Sequence, residues 1–129
     1  MKILVIEDSR LLQIALSRTL AKAGHEVIAV GDGREGLRRA EHTHPDMILL
    51  DMMLPTLEGT SVLRLLKKNA LTKGIPVIVL SGLSQKNEQK LKQNGAAGYL
   101  EKSVLNLSGD GAPLVSALND LWKEVGVGH

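Results

Sequence analysis

Five side chains with chemistry to offer stand at or just past the ends of short apolar runs: Glu7, Asp8, Asp51, Ser81 and Lys102. If those runs are strands of one parallel sheet, all five converge on a single edge. Three carboxylates gathered there repel one another and call for a cation. Oxygen donors without His or Cys suit Mg²⁺ better than zinc. A carboxylate can also act as a nucleophile toward a phosphoryl group, giving an aspartyl phosphate. A metal and the Lys102 ammonium would then neutralise the transferring oxygens, and the Ser81 hydroxyl could donate to one of them. Taken singly, each residue has an ordinary explanation. A carboxylate after a strand is usually a loop residue or a helix cap, as Asp8 or Ser9 could be for the first helix. Lys102 alone would be a solvated charge. The joint pattern is what points to a site.

The positioning elements follow from the apolar spacing. Lys2–Ile6, Glu26–Val30, Met47–Leu50 and Pro76–Leu80 are continuous apolar runs, and Ala97–Leu100 is a weaker fifth. Such runs suit strands buried on both faces. Between them Leu12, Leu16, Thr19, Leu20 and Ala23 recur at helical spacing, with Gly24 as a stop. Asp32 and Glu35 have capping-box spacing ahead of Leu37 and Ala40. Val62, Leu63, Leu65 and Leu66 mark a third helix. Residues 84–94 suggest a fourth, mostly polar and anchored by Leu91. Leu114, Leu118, Leu121, Trp122 and Val125 stripe the fifth, with Pro113 suited to its first turn. A βα unit repeated five times implies a parallel sheet covered on both faces, a doubly wound three-layer sandwich. In such sheets the crevice lies at the carboxyl ends of the strands.

Composition narrows the classes. The 129 residues form one domain by size, expected over 1–125 with a tail at 126–129. There is no Cys, which excludes disulfides and thiolate metal sites. With no Phe, one Trp and one Tyr, the core must be aliphatic. The net charge is +2 and the basic residues are scattered, so no nucleic-acid stripe forms. No apolar run approaches the ~20 residues of a spanning helix, and the opening run is too short for a secretory signal. A cytoplasmic protein is the default expectation.

With those residues in place, the chain resembles the receiver domain of response regulators from Lys2 to about Val125. Four segments carry the likeness: Ile3-Leu4-Val5-Ile6-Glu7-Asp8-Ser9; Asp51-Met52-Met53-Leu54-Pro55 with Gly59 following; Ile75-Pro76-Val77-Ile78-Val79-Leu80-Ser81; and Gly95-Ala96-Ala97-Gly98-Tyr99-Leu100-Glu101-Lys102. The resemblance implies a flavodoxin-like α/β sandwich with five helices and strand order 2-1-3-4-5. It implies Mg²⁺ bound by Asp8, by Glu7 through water, by Asp51 and by the Met53 carbonyl. Asp51 would take a phosphoryl group from a sensor histidine kinase or a histidine phosphotransfer protein. Ser81 and Lys102 would hold the phosphoryl oxygens, and Ser81 and Tyr99 would act as the switch. The output face would be the fourth helix, fifth strand and fifth helix, with Lys86, Lys90 and Tyr99 near it. A homodimer is possible there, and neither nucleic acid nor membrane is a direct partner. Such a domain is a signalling phosphoacceptor, limited to self-phosphorylation and slow autodephosphorylation.

The sequence departs from the family pattern at Ser103, where many members have proline after the lysine. A cis Lys102–Ser103 bond would cost roughly 3 kcal/mol, against about 0.5–1 for proline. A degenerate receiver that binds partners without phosphorylation is therefore one alternative. Another is a small nucleotide-binding domain, because Gly31-Asp32-Gly33-Arg34-Glu35-Gly36 spells a dinucleotide fingerprint. That motif follows the second strand rather than the first, and no acidic residue ends a strand ~20 residues on. A haloacid-dehalogenase-like phosphatase would need a second Asp where Met53 stands. His25, His42, His44 and His129 are expected at the surface.

Overall fold

The computed structural model describes residues 1–54, 57–82, 93–102 and 112–126. Strands β1 (Lys2–Ile6), β2 (Glu26–Val30), β3 (Met47–Asp51), β4 (Val77–Ser81) and β5 (Gly98–Glu101) and helices α1 (Arg10–Lys22), α2 (Gly33–Thr43), α3 (Gly59–Lys68) and α4 (Ala112–Gly126) follow the order β1-α1-β2-α2-β3-α3-β4-β5-α4 among the described residues. All strand pairs are parallel, in the order β2-β1-β3-β4-β5. Four helices lie among the described residues where the sequence suggests five. The expected fourth, at 84–94, falls almost wholly outside them, as does the glycine-containing stretch 103–111.

Although the strands read as unbroken apolar runs, their side chains alternate between two cores, as the two-residue period of a strand requires. Leu4, Ile6, Ile48, Leu50, Val77 and Val79 pack with Ala40 of α2 and Val62, Leu63 and Leu66 of α3. Ile3, Val5, Met47, Leu49, Ile78 and Leu80 pack with Leu16 and Leu20 of α1 and Leu114 and Leu118 of α4. These are the three layers the sequence implies.

Local chemistry fixes the helix ends. Ser9 Oγ accepts the Leu12 N–H at 3.3 Å, and Asp32 Oδ1 accepts the Glu35 N–H at 2.8 Å. Gly24, at φ +94°, turns the chain out of α1 into β2. Beyond α3, the buried Thr72 hydroxyl donates to Leu66 O at 2.6 Å. Lys67 Nζ donates to Ile75 O at 2.7 Å, which ties the connection down just before β4.

The buried stripe of α3 runs through Val62, Leu63 and Leu66, which leaves Leu65 45% exposed. Two sequence expectations need correction in detail. His25 is half-buried, its Nδ1 3.1 Å from the N-terminal amine, whereas His42 and His44 are exposed and His129 lies outside the described residues. Finally, β3 and β4 run one residue further than their apolar runs, so that Asp51 and Ser81 are themselves the last residues of strands.

The glycine-rich turn has a packing explanation. A Cβ at Gly33 would lie 2.6 Å from Val62 Cγ2, and one at Gly36 only 2.5 Å from Ile6 Cδ1. Those glycines let α2 lie close on α3 and β1. Among the described residues, no helix is long and apolar enough to cross a membrane.

Candidate functional site

The sheet reverses its winding beside β1, where β2 lies on one side and β3 on the other. Ligand crevices of doubly wound sheets open at such a point, past the carboxyl ends of the strands. Four of those ends carry the predicted residues. Glu7 directly follows β1, and its N–H still donates to Val30 O at 3.0 Å, so the ladder aims it. Asp51 closes β3 and pairs in register with Leu80. Ser81 closes β4 and pairs in register with Glu101. Lys102 is the next residue after β5.

The ladder brings three of these into direct contact. Lys102 Nζ lies 3.0 Å from Asp51 Oδ1 and 3.3 Å from Glu7 Oε2. Glu7 and Asp51 are each 1% exposed. Burying two carboxylates side by side is costly unless a counter-charge accompanies them, and the lysine is that counter-charge. Backbone donors help: Met53 N–H to Asp51 Oδ1 at 3.1 Å, and Ser9 N–H to Glu7 Oε1 at 3.1 Å. Glu7 Oε2 is buried without a hydrogen bond, because its approach to Lys102 is an ion pair and not a well-directed hydrogen bond.

Electrostatics follow from that geometry. Burial first, then the charge of Asp51, pushes the Glu7 carboxyl up to about 7; the Ser9 N–H and Lys102 pull the other way without prevailing. For Lys102, burial alone would lower the pKa. The hydrogen bond and charge of Asp51, joined by Glu7, outweigh it and hold the ammonium above its ordinary value.

The remaining predicted residues surround this triad. Asp8, the next residue after Glu7, is exposed. Ser81 is fully buried at the end of the neighbouring strand. Met53 is 70% exposed, while its backbone faces Asp51. Tyr99 is half-buried against the core shared with α2 and α3. Among the described residues, no three acidic or histidine side chains already form a cation site, since Lys102 bridges Glu7 and Asp51. The donors nevertheless fit a hard divalent cation: all are oxygens, one buried carboxylate oxygen lacks a hydrogen bond, and the exposed Asp8 adjoins Glu7 in the chain.

Two contributors carry little sequence signal. Gln13 Nε2 donates to Glu7 O at 2.6 Å, and Gly59 packs directly on the backbone of Asp51 and Met52. A glutamine inside a helix has no distinctive pattern. The Gly59 spacing from Asp51 is visible in the sequence, but its reason is not.

A doubly wound sheet with two buried acids paired to a half-buried lysine past its strand ends defines a small α/β domain with a charged crevice. The chain belongs to the response regulator receiver domain family, whose model matches residues 3–107. It is 36% identical over 104 residues to protein PilH of Pseudomonas aeruginosa, covering 80% of this chain and 86% of PilH. Its fold is similar to the chemotaxis response regulator CheY4 of Vibrio cholerae, with TM-score 0.82 and 29% identity over 93% of this chain and 97% of that one. It is also similar to the receiver domain of a sensor histidine kinase from P. aeruginosa, which has a magnesium ion coordinated in its active-site cleft. That match has TM-score 0.79 and 28% identity, covering 97% of each chain. The chain is thus a receiver domain of two-component response regulators, a class of signalling domains.

Proposed function

We propose that this receiver is a phosphorylation switch with Asp51 as the acceptor. The observation that carries the reading is the Lys102 ammonium 3.0 Å from the buried Asp51 carboxylate, with Glu7 beside it. In the reaction, an Asp51 oxygen attacks the phosphorus of a phosphohistidine on a histidine kinase or phosphotransfer protein. The P–N bond breaks, and the imidazole leaves with its electron pair and takes up a proton. Lys102 is already within reach of the charge that develops, so little reorganisation is needed. Mg²⁺, held by Asp8, Glu7, Asp51 and the Met53 carbonyl, would neutralise phosphoryl charge.

Phosphorylation then biases a two-state equilibrium instead of building a new fold. Ser81 and Tyr99 are the switch residues in this reading, and the output surface includes β5 and α4. Lys86 and Lys90, assigned to the same surface, lie outside the described residues. The domain spans 1–125 and acts in the cytoplasm through protein partners.

Incubation with acetyl phosphate and Mg²⁺ should add one phosphoryl group to the wild type, read by intact mass. Asp51→Asn or a chelator should abolish the gain. A wild type that gains nothing would instead be a phosphorylation-independent binding module.

The Met53 side chain gives a second expectation. It is apolar and exposed, and cannot orient a water. The aspartyl phosphate should therefore hydrolyse slowly. Met53→Asn, offering an amide there, should speed dephosphorylation on the order of tenfold, a modest return for positioning. An unchanged lifetime would sink the idea. Leu83, two residues past Ser81, would be a second apolar residue beside the phosphoryl group by the family resemblance, and it lies outside the described residues.

A further inference from the structure

The chain leaves β1 and enters α1 within three residues, Glu7, Asp8 and Ser9, and two of them are proposed to serve the metal. Three of the hydrogen bonds on this short segment bear on Glu7. The Glu7 N–H goes to Val30 O at 3.0 Å, the Ser9 N–H to Glu7 Oε1 at 3.1 Å, and Gln13 Nε2 to Glu7 O at 2.6 Å. The first two belong to the sheet ladder and to the acidic side chain. The third is a side chain reaching back from α1, and it is the shortest.

Glu7 O is the first carbonyl beyond the strand, on a residue that is 1% exposed, so it needs a donor from the protein. Gln13 is carried to it because Ser9 caps α1 and the Gln13 N–H closes the first turn onto Ser9 O at 2.9 Å. The carbonyl belongs to the peptide joining Glu7 to Asp8. Fixing its direction fixes the plane of that peptide, and so the direction in which the Asp8 side chain leaves the backbone. Asp8 is exposed, and among the described residues no hydrogen bond or ion pair tethers its side chain.

We infer that Gln13 is a positioning residue for the acidic pair: its amide, by holding the Glu7–Asp8 peptide, sets Asp8 and Glu7 for cation binding at the Asp51 site. The inference rests on the phosphorylation reading above. It concerns a side chain that is not itself among the proposed metal ligands.

The test is Mg²⁺ titration of the wild type, Gln13→Met and Gln13→His at pH 8, followed by ¹H–¹⁵N spectra and calorimetry, with thermal midpoints in chelator. Met has nearly the same length and helix propensity as Gln but no donor. His, neutral at this pH, restores an N–H at similar reach. The Met variant should stay folded and bind Mg²⁺ several-fold more weakly. Its Asp8 amide nitrogen should shift in the metal-free spectrum, because the adjoining carbonyl has lost its donor. His should recover most of the affinity.

Equal Mg²⁺ affinity in wild type and Gln13→Met would overturn the inference. So would a His variant as weak as Met, since the loss would then follow side-chain change and not the donor. A wild type that binds no Mg²⁺ at all would overturn this inference together with the phosphorylation reading, which separates the two kinds of failure.

Discussion

In chelator at pH 8, Glu7→Gln is expected to be more stable than the wild type, by as much as about 3 kcal/mol, the linkage equivalent of a carboxyl raised from its ordinary value to about 7. Near pH 4 the advantage should vanish. The native state holds the Glu7 proton more tightly than the unfolded chain does. Between the unfolded value, 4.5, and about 7 the native state therefore binds more protons, and stability falls as pH rises. Below 4.5 the carboxyl is protonated in both states and behaves much like the amide. His25, whose pKa is lowered by burial and by the N-terminal amine, acts in the opposite sense in an overlapping range. Comparing the two proteins at each pH cancels it. Lys102, raised above 10.5, keeps its protonation in both states throughout this window. Urea midpoints at pH 4, 6 and 8 with unchanged slopes would report the gap directly. Mg²⁺ should narrow it at pH 8 by stabilising the wild type more, since a ligand at 100 times its Kd adds about 2.7 kcal/mol. A variant less stable than wild type at pH 8 would mean that the Lys102–Glu7 pairing outweighs the burial of two like charges.

The same residues show how far the sequence reaches. Glu7, Asp51, Ser81 and Lys102 are legible because a polar residue ending an apolar run marks a strand end, and parallel strands gather their ends on one edge. Residue type also names the chemistry. What spacing cannot supply is distance. That Lys102 contacts both acids while Asp8 stands exposed depends on register and on side-chain direction, neither of which a linear pattern contains. The two-core division was hidden for a related reason. Strands buried on both faces show no alternation, so Leu4 and Val5 look alike although they face opposite layers. Gln13 left almost no trace, and Gly33, Gly36 and Gly59 were visible only as spacings, without their packing reason. A backbone carbonyl that lacks a ladder partner, or a gap too small for a Cβ, exists only once the chain is folded.

Gly59 turns that last point into a measurable result. Alanine is the better helix former by about 1 kcal/mol in a helix interior, so propensity alone favours Gly59→Ala. The contacts point the other way. An added Cβ would lie 2.6 Å from Asp51 O and 2.6 Å from Met52 Cα. Both are backbone atoms, and neither can rotate aside as a side-chain tip can. The strand end is itself held, with Met52 N–H on Leu80 O at 3.1 Å and Gly59 N–H on Met52 O at 3.2 Å. The N-cap residue, Glu58, makes no side-chain cap bond that would let α3 settle elsewhere. Relief must therefore come from moving the start of α3 or the end of β3, and the latter carries Asp51. Overpacking of this kind costs about 1–3 kcal/mol, and backbone partners place Gly59→Ala toward the upper end. The effect on phosphorylation should be larger still, because a displacement near 1 Å at a reacting group can cost about 10²-fold in rate. Gly74→Ala is the control, since its Cβ would meet nothing within 4 Å, and it should leave stability within about 0.5 kcal/mol of wild type. Initial acetyl phosphate rates and urea midpoints on both variants decide the matter. If Gly59→Ala matched Gly74→Ala in both, α3 would have to be free to shift without carrying Asp51, and the rigid seat assigned to the acceptor would be wrong.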